Sequence, residues 1–321
     1  MKIGELTETI AQQKKLWAGL NDPEGLMGEV DAALFGIPYD GGVSFRGGAA
    51  KGPQSVREIT YTIAKTTEHL ESFEGFRIRD LGDFYGGDRN RVFEDVRNLV
   101  ETLIKKNQFF TMIGGDHSTT IPVLQGIDRA VGEEFGIIHI DAHLDLCDKM
   151  DGDSLSHGST QRRALELDHI SGMENLMFLG IRSIEDQEYD FLKDQNPSII
   201  TAYRMNQMGI KKVLEQVHEQ MKNYKQIYVT IDIDALDPGF AAGTGTPQFG
   251  GLNSRQMLDL LMGIFELPIL GFDVVEIAPE LDPAKTASFA GRKIITECFG
   301  HHWRKTRGDK VLAKDRLHDR K

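Results

Sequence analysis

The 321-residue chain has only two cysteines, Cys147 and Cys298. So few cysteines argue against a framework of disulfide bonds and fit a reducing compartment. The chain also lacks an apolar run of the ~18 to 20 residues that cross a bilayer. Its first residues have neither the basic start nor the apolar stretch of a signal peptide. We therefore expect a cytoplasmic protein with no membrane partner.

Positive charge is scarce as well. There are 37 Lys and Arg residues against 49 Asp and Glu residues, which gives a formal net charge of −12. This balance argues against nucleic acid or an anionic membrane as a partner and favours the approach of cationic substrates. The local exception is a basic C-terminal tail over residues 304–321. We expect this tail to be solvated, with a contact between subunits as the alternative.

Apolar segments of strand length alternate with amphipathic segments of helical length. The strand candidates are residues 32–37, 77–81, 109–113, 135–140, 176–179, 199–201, 227–233 and 269–275. The helix candidates are residues 92–106, 119–131, 184–194, 208–224 and 254–265. This alternation predicts an α/β fold with a doubly wound, mainly parallel sheet and helices on both faces. We expect a single domain over residues 31–303, preceded by a helical cap over residues 1–30.

Polar residues follow several of these strand candidates, where parallel strands would end. Asp141 and His143 are separated by one residue, as are Asp232 and Asp234. Side chains two residues apart on an extended chain point the same way, so each pair can bind one ion. Ligands of open parallel sheets bind beyond the carboxyl ends of the strands. The predicted topology and the candidate ligands therefore both place the site at the edge formed by the carboxyl ends of the strands.

The candidate metal ligands combine four carboxylates with two imidazoles. They are His117, Asp141, His143, Asp145, Asp232 and Asp234. Four carboxylates offset the charge of two divalent ions, and two ions that share a water acidify it strongly. Oxygen and nitrogen ligands without thiolate favour Mn²⁺, with Fe, Co or Ni as substitutes, over structural zinc. Asp116 and Asp237 lie nearby, and we assign them to orienting ligands or to loop hydrogen bonds.

Several motifs carry a resemblance to a known family. They are Gly-Gly-Asp-His-Ser at 114–118, Asp-Ala-His-Leu-Asp at 141–145, Thr-Ile-Asp-Ile-Asp-Ala-Leu-Asp-Pro at 230–238, Gly-Thr-Gly-Thr-Pro at 243–247, Val-Val-Glu-Ile-Ala-Pro at 274–279 and the glycine-rich stretch 47–57. In this order the chain resembles the ureohydrolases, which include arginase and agmatinase, from about residue 31 to residue 300. Thr230, where the family usually has Ser, and Gly47, in place of a commoner Pro, depart from the pattern.

The resemblance implies a three-layer arginase-like fold, two Mn²⁺ ions per subunit and a trimer or hexamer. One ion would be bound by His117, Asp141, Asp145 and Asp232, and the other by Asp141, His143, Asp232 and Asp234, so that Asp141 and Asp232 bridge. The resemblance also implies that Glu276 orients the guanidinium group and that His157 moves protons at the mouth of the site. Asp145 would pass a proton to the leaving nitrogen. The products would be urea and an amine.

The substrate is harder to predict than the reaction. The loop at 146–155 contains Asp148, Asp151 and Asp153 against a single lysine, which suits the ammonium tail of agmatine, cleaved to putrescine and urea. Arg162 and Arg163 instead favour guanidinobutyrate or guanidinopropionate, unless they pair within the fold or between subunits. Arginase, formimidoylglutamase and guanidine hydrolase activities are further alternatives. A deacetylase of related fold and a silent metal-binding relative are the least expected.

Overall fold

The computed structural model describes residues 13–86 and 88–307. Its sheet consists of β1 (Ala32–Ile37), β2 (Ile78–Asp83), β3 (Phe110–Gly114), β4 (Gly136–Ile140), β5 (Leu176–Ile181), β6 (Ser198–Thr201), β7 (Ile227–Asp232) and β8 (Ile269–Val275). All are parallel, in the order β2-β1-β3-β8-β7-β4-β5-β6. Each strand coincides with a predicted one to within two residues at its start. The parallel sheet is confirmed.

The helices of five residues or more lie between and after the strands. They are α1 (Gly52–Glu58), α2 (Arg89–Lys105), α3 (Thr120–Asp128), α4 (Thr160–Ala164), α5 (Asp186–Leu192), α6 (Ala202–Met208), α7 (Ile210–Met221), α8 (Ser254–Ile264) and α9 (Thr286–Arg307). Four of these, α1, α4, α6 and α9, were not predicted. The longest, α9, escaped prediction because it buries polar and small residues, such as Ser288, Gly291 and His301, among its apolar ones. Its sequence therefore lacks the clean apolar stripe of a surface helix.

The sheet separates two hydrophobic cores. Alternate residues of a strand face opposite sides, so Tyr228 joins one core and its neighbour Val229 the other. Helices α2 and α3 pack on the Tyr228 side, whereas α7, α8 and α9 pack on the Val229 side. The result is three layers, with helices covering both faces of the sheet, as predicted.

The two predicted ends of the chain are only partly described. Residues 1–12 and 308–321 lie outside the described residues. Of the predicted helical cap, the described part contains one short turn, Leu16–Gly19, whose Trp17 is fully buried and donates from Nε1 to Asp80 at 3.3 Å. Residues 304–307 of the predicted tail form the end of α9. Within the described residues, no helix combines the length and the apolar character needed to cross a membrane.

Candidate dinuclear metal centre and active site

The centre lies at the carboxyl ends of four adjacent strands, β3, β8, β7 and β4. His117 follows β3, the Asp141–Asp145 segment follows β4, Asp232 and Asp234 end β7, and Glu276 follows β8. These strands are distant in sequence but neighbours in the sheet, so their ends meet at one point. The structure therefore brings all six predicted ligands together.

One group of ligand atoms surrounds His117. Its Nδ1 lies 3.0 Å from Asp141 Oδ2, 3.0 Å from Asp145 Oδ2 and 3.3 Å from Asp232 Oδ2. All four side chains are buried. Ligand atoms about 2.1 Å from an octahedral ion are separated by about 3 Å from their neighbours. The spacing of these atoms therefore suits a single small divalent ion.

The hydrogen bonds around His117 determine which ring nitrogen is free. Thr230 Oγ1 donates to Asp273 Oδ1 at 2.7 Å, so it accepts from His117 Nε2 at 2.8 Å. The neutral ring therefore carries its proton on Nε2, and the lone pair of Nδ1 faces the carboxylates. His117 Nδ1, Asp141 Oδ2 and Asp145 Oδ2 are buried, and among the described residues none of them forms a hydrogen bond of good geometry, although both oxygens lie 3.0 Å from Nδ1. A metal ion bound here would give these atoms a partner.

Electrostatics point the same way. Burial lowers the pKa of His117, but the carboxylates of Asp145, Asp141 and Asp232 raise that pKa well above its usual range. Burial together with the charges of neighbouring carboxylates, Asp234 and Asp141, raises the pKa of Asp232 as well. The protein groups around the site therefore do not fully compensate the negative charge of its carboxylates. Two dications would neutralise that charge.

A second group shares Asp141 with the first. His143 Nδ1 lies 3.1 Å from Asp234 Oδ2 and 3.5 Å from Asp141 Oδ1, whereas Asp141 Oδ2 faces His117. Burial lowers the pKa of His143, but Asp234 and Asp141 raise it to about 12. Because each oxygen of Asp141 faces a different group, this carboxylate is positioned to bridge two ions.

The residues that hold the ligands in place were not predicted from the sequence. His139 lies 3.2 Å from Asp141 through Nε2, which also contacts the His143 carbonyl at 3.0 Å, while its Nδ1 lies 3.0 Å from Gln161 Nε2. Both ring nitrogens are thus in hydrogen-bond contact, so His139 orients ligands rather than acting as one. His139 and Asp273 are polar residues inside apolar strand segments, and that pattern was a usable signal.

The two nearby aspartates bind loops. Asp116 accepts from the Gly42 amide at 2.7 Å and from the Ser118 amide at 2.9 Å. It thereby holds the loop after β1, residues 38–48, against the end of β3. Asp237 accepts from the amides of Gly239 at 3.0 Å and Gly250 at 2.9 Å. Of the two roles predicted for these residues, loop hydrogen bonding is the one observed.

Comparison with known proteins agrees with this geometry. Residues 30–300 match the arginase family. The chain belongs to the arginase family. It is 33% identical to an agmatinase of Halalkalibacterium halodurans over 83% of this chain and 90% of that one. It is 30% identical to a guanidinobutyrase of Pseudomonas aeruginosa, covering 84% of this chain and 85% of that one.

Solved structures show the same fold. Proclavaminate amidino hydrolase from Streptomyces clavuligerus superposes with a TM-score of 0.79 and 31% identity, covering 89% of this chain and 95% of that one. Arginase-family enzymes are metal-dependent amidine hydrolases with a dinuclear centre, and this chain is such a hydrolase. The arginase-like architecture expected from the sequence is confirmed.

In this arginase-family enzyme, Glu276 connects the metal centre to His157. Glu276 Oε1 accepts from the His117 amide at 2.9 Å and lies 3.0 Å from His157 Nδ1. Its backbone is left-handed, with a φ of 63°, and Asp145 has a φ of 56°. Such conformations are unfavourable for residues other than glycine and persist where the surrounding structure enforces them. Both residues were predicted to act in catalysis, so the strain lies at the candidate site.

The cavity beside the centre is lined by polar and acidic groups. Its lining consists of Ser44, His117, His143, Asp145, Cys147, Met150, His157, Gly158, Ser183, Ile184, Glu185, Glu188, Asp232 and Thr246. Among the described residues, no lysine or arginine lines it. The two arginines considered above as partners of a substrate carboxylate contact other protein groups instead. Arg162 lies over the Phe191 ring at 4.0 Å, and Arg163 pairs with Asp148 at 3.1 Å and with Glu166.

The acidic loop differs from its prediction. Cys147 and Met150 of this loop line the cavity, but its aspartates do not. Asp148 pairs with Arg163, and Asp153 forms a two-point contact with Arg89. These partners neutralise two of the three negative charges that were expected to receive an ammonium group. The negative charge of the outer cavity comes instead from Glu185 and Glu188, on the segment after β5.

Proposed function

We propose that the protein hydrolyses agmatine to urea and putrescine at a dinuclear metal centre. The carrying observation is the charge of the cavity. Apart from the metal ligands, the cavity lining contains two carboxylates, those of Glu185 and Glu188. Among the described residues, histidine is the only basic side chain in this lining. A guanidino substrate whose far end is an ammonium group matches this lining. A substrate whose far end is a carboxylate does not.

The residues that would hold the two ions are the six of the candidate centre, with Asp141 and Asp232 shared. Their hard oxygen and imidazole ligands favour Mn²⁺. When bound, the ions supply a nucleophilic water ionised at neutral pH. The chain's own groups account for the rest of the chemistry, because a guanidinium carbon is a poor electrophile and must be held in place over the nucleophile.

Glu276 and His157 bind the reacting end of the substrate in this proposal. Glu276 is 2% exposed and contacts two residues that line the cavity, His117 and His157. From there its carboxylate would form charge-assisted hydrogen bonds with the planar guanidinium. Asp145 lines the cavity, with Oδ2 3.0 Å from His117 Nδ1, and in this proposal it carries a proton to the leaving nitrogen. His157 completes the proton balance of the amine.

The far end of the substrate lies toward the segment after β5. Glu188 is buried, and both of its oxygens accept backbone amides, those of Leu146 at 2.8 Å and Glu185 at 2.9 Å. Burial raises the pKa of Glu188 to about 7, although these hydrogen bonds act in the opposite direction. Glu185 is exposed at the rim. Its carboxylate is therefore the better partner for an ammonium group.

The test compares urea release from agmatine and guanidinobutyrate by the wild type and by Glu185→Gln. An exposed charge pair contributes up to about 1 kcal/mol, or about fivefold in binding. We expect the wild type to prefer agmatine, and Glu185→Gln to lose about fivefold in kcat/KM for agmatine without loss for guanidinobutyrate. The control is Asp186→Asn, which removes the same charge one residue away from the cavity lining.

Equal losses in Glu185→Gln and Asp186→Asn would show that the overall field of the protein, not a contact with the tail, selects the substrate. A wild-type preference for guanidinobutyrate would contradict the agmatine assignment. The family's trimeric or hexameric assembly and the cytoplasmic location stay predictions, which sedimentation of the purified protein and cell fractionation test.

A further inference from the structure

Ser44 joins His157 to solvent. Ser44 lies on the loop after β1, residues 38–48, is exposed and lines the cavity. Its Oγ is 2.8 Å from His157 Nε2, and its amide donates to the same nitrogen at 3.2 Å. His157 itself is only 9% exposed. The nitrogen that faces outward is therefore covered by one residue, whose hydroxyl lies at the cavity surface.

The amide contact defines the tautomer of the neutral His157 ring. A backbone N–H only donates, so Nε2 accepts and is unprotonated. The ring proton is then on Nδ1, where it is donated to Glu276 Oε1 at 3.0 Å. A hydroxyl both donates and accepts, so Ser44 Oγ can hold this ring in either protonation state. His157 thus faces the candidate reaction site through Nδ1 and Ser44 through Nε2.

The groups facing His157 favour uptake of a proton. Burial lowers its pKa, but the hydrogen bond and charge of Glu276, with smaller contributions from Asp145 and Asp116, raise the pKa to about 9. Glu276 faces Nδ1, the inner nitrogen of the ring, and Ser44 faces Nε2, the outer one. A proton drawn in from solvent therefore reaches the ring on the side of Ser44.

We propose that Ser44 is a positioning residue that relays protons between solvent and His157. The inference rests on the proposed hydrolysis and on the role of His157 in it. When the C–N bond breaks, the amine nitrogen takes the Nδ1 proton, Nε2 takes the Ser44 hydroxyl proton, and Oγ takes a proton from water. This uptake leaves the ring protonated on Nε2 alone. When the next attacking water ionises, Nδ1 takes its proton and the Nε2 proton leaves through Ser44 to solvent, so the ring returns to its starting tautomer and the protons balance.

The experiment compares Ser44→Ala with Ser44→Thr. Alanine keeps the backbone N–H that contacts Nε2 and removes only the hydroxyl, whereas threonine keeps both. Proton transfer through a positioned group contributes a factor of 10² or more to catalysis, and part of this remains because water can approach. We expect kcat of Ser44→Ala to fall about tenfold with KM within about twofold, and Ser44→Thr to stay close to the wild type.

Two further measurements separate a relay from a structural role. Imidazole added as a small proton donor should restore most of the kcat of Ser44→Ala and leave the wild type unchanged. The metal content of both variants should equal that of the wild type. The inference is overturned if Ser44→Ala keeps the wild-type kcat, or if its loss resists imidazole and appears in KM. A wild type that releases no urea contradicts the proposed function instead, which is a different outcome.

Discussion

The Thr230→Val substitution tests how the structure prepares His117 for a metal ion. Thr230 Oγ1 accepts from His117 Nε2 and donates to Asp273 Oδ1, and all three residues are buried. Valine is close to threonine in shape and equally suited to a strand, so the change removes the hydroxyl with little else. His117 then loses the acceptor that holds its proton on Nε2 and its lone pair on Nδ1.

The expected magnitude follows from the contacts that remain. Asp273 keeps Tyr228 and Thr120, each at 2.8 Å, and the Ile231 amide at 3.3 Å, so it stays well satisfied. His117 Nε2 is left buried without an acceptor, which costs about 1–3 kcal/mol. Loss of a partner that orients a ligand typically lowers metal affinity about 10- to 100-fold, or about 1.4–2.7 kcal/mol.

The assay is a Mn²⁺ titration in competition with a chelator of known affinity, and the matched control is Thr230→Ser, which keeps the hydroxyl. We expect the serine variant to bind within about twofold of the wild type and the valine variant to bind at least ~10-fold more weakly. Wild-type affinity in the valine variant would refute the reasoning, since the tautomer of His117 would then not depend on Thr230.

Three further substitutions have different expected signatures. Asp232→Ala should lose metal and activity together, and an active variant with full metal content would remove Asp232 from the ligands. Glu276→Gln should keep its metal, because Glu276 contacts the ligand His117 through that residue's backbone amide. It should lose at least ~100-fold in kcat, because the charge that holds the guanidinium is gone. Near-normal kinetics would contradict this role. Arg89→Gln should raise KM about fivefold with kcat within about twofold, because it releases Asp153 and the turn that places Met150 in the cavity lining. An unchanged KM would show that this turn keeps its conformation without Arg89.

Local sequence patterns were sufficient for the strands and the ligands. Most of the strands are short apolar runs, and the ligands lie at or just after the ends of β3, β4 and β7, so the sequence pattern located both. The order β3-β8-β7-β4 was not available from the sequence, because β3 pairs with β8 and β4 with β7, at separations of 161 and 91 residues along the chain. That order is what places Glu276 between the ligands of its neighbours.

The loops show the limit of the same reasoning. The composition of residues 146–155 indicated an acidic surface toward the substrate, but Asp153 pairs with Arg89 on a distant helix and Asp148 with Arg163. Charge counted along the sequence does not reveal which side chains a fold neutralises. Glu185 was passed over for the opposite reason, since nothing in its local sequence distinguishes it from other surface acids.

The most direct test of a dinuclear agmatine hydrolase is a single titration. Metal-free protein would be loaded with Mn²⁺ in steps, and bound metal and urea release from agmatine would be measured at each step. We predict that activity rises to a plateau at two bound ions per chain and that metal-free protein releases no urea. Urea release without metal, a plateau at one ion, or two bound ions with no urea from agmatine would contradict it.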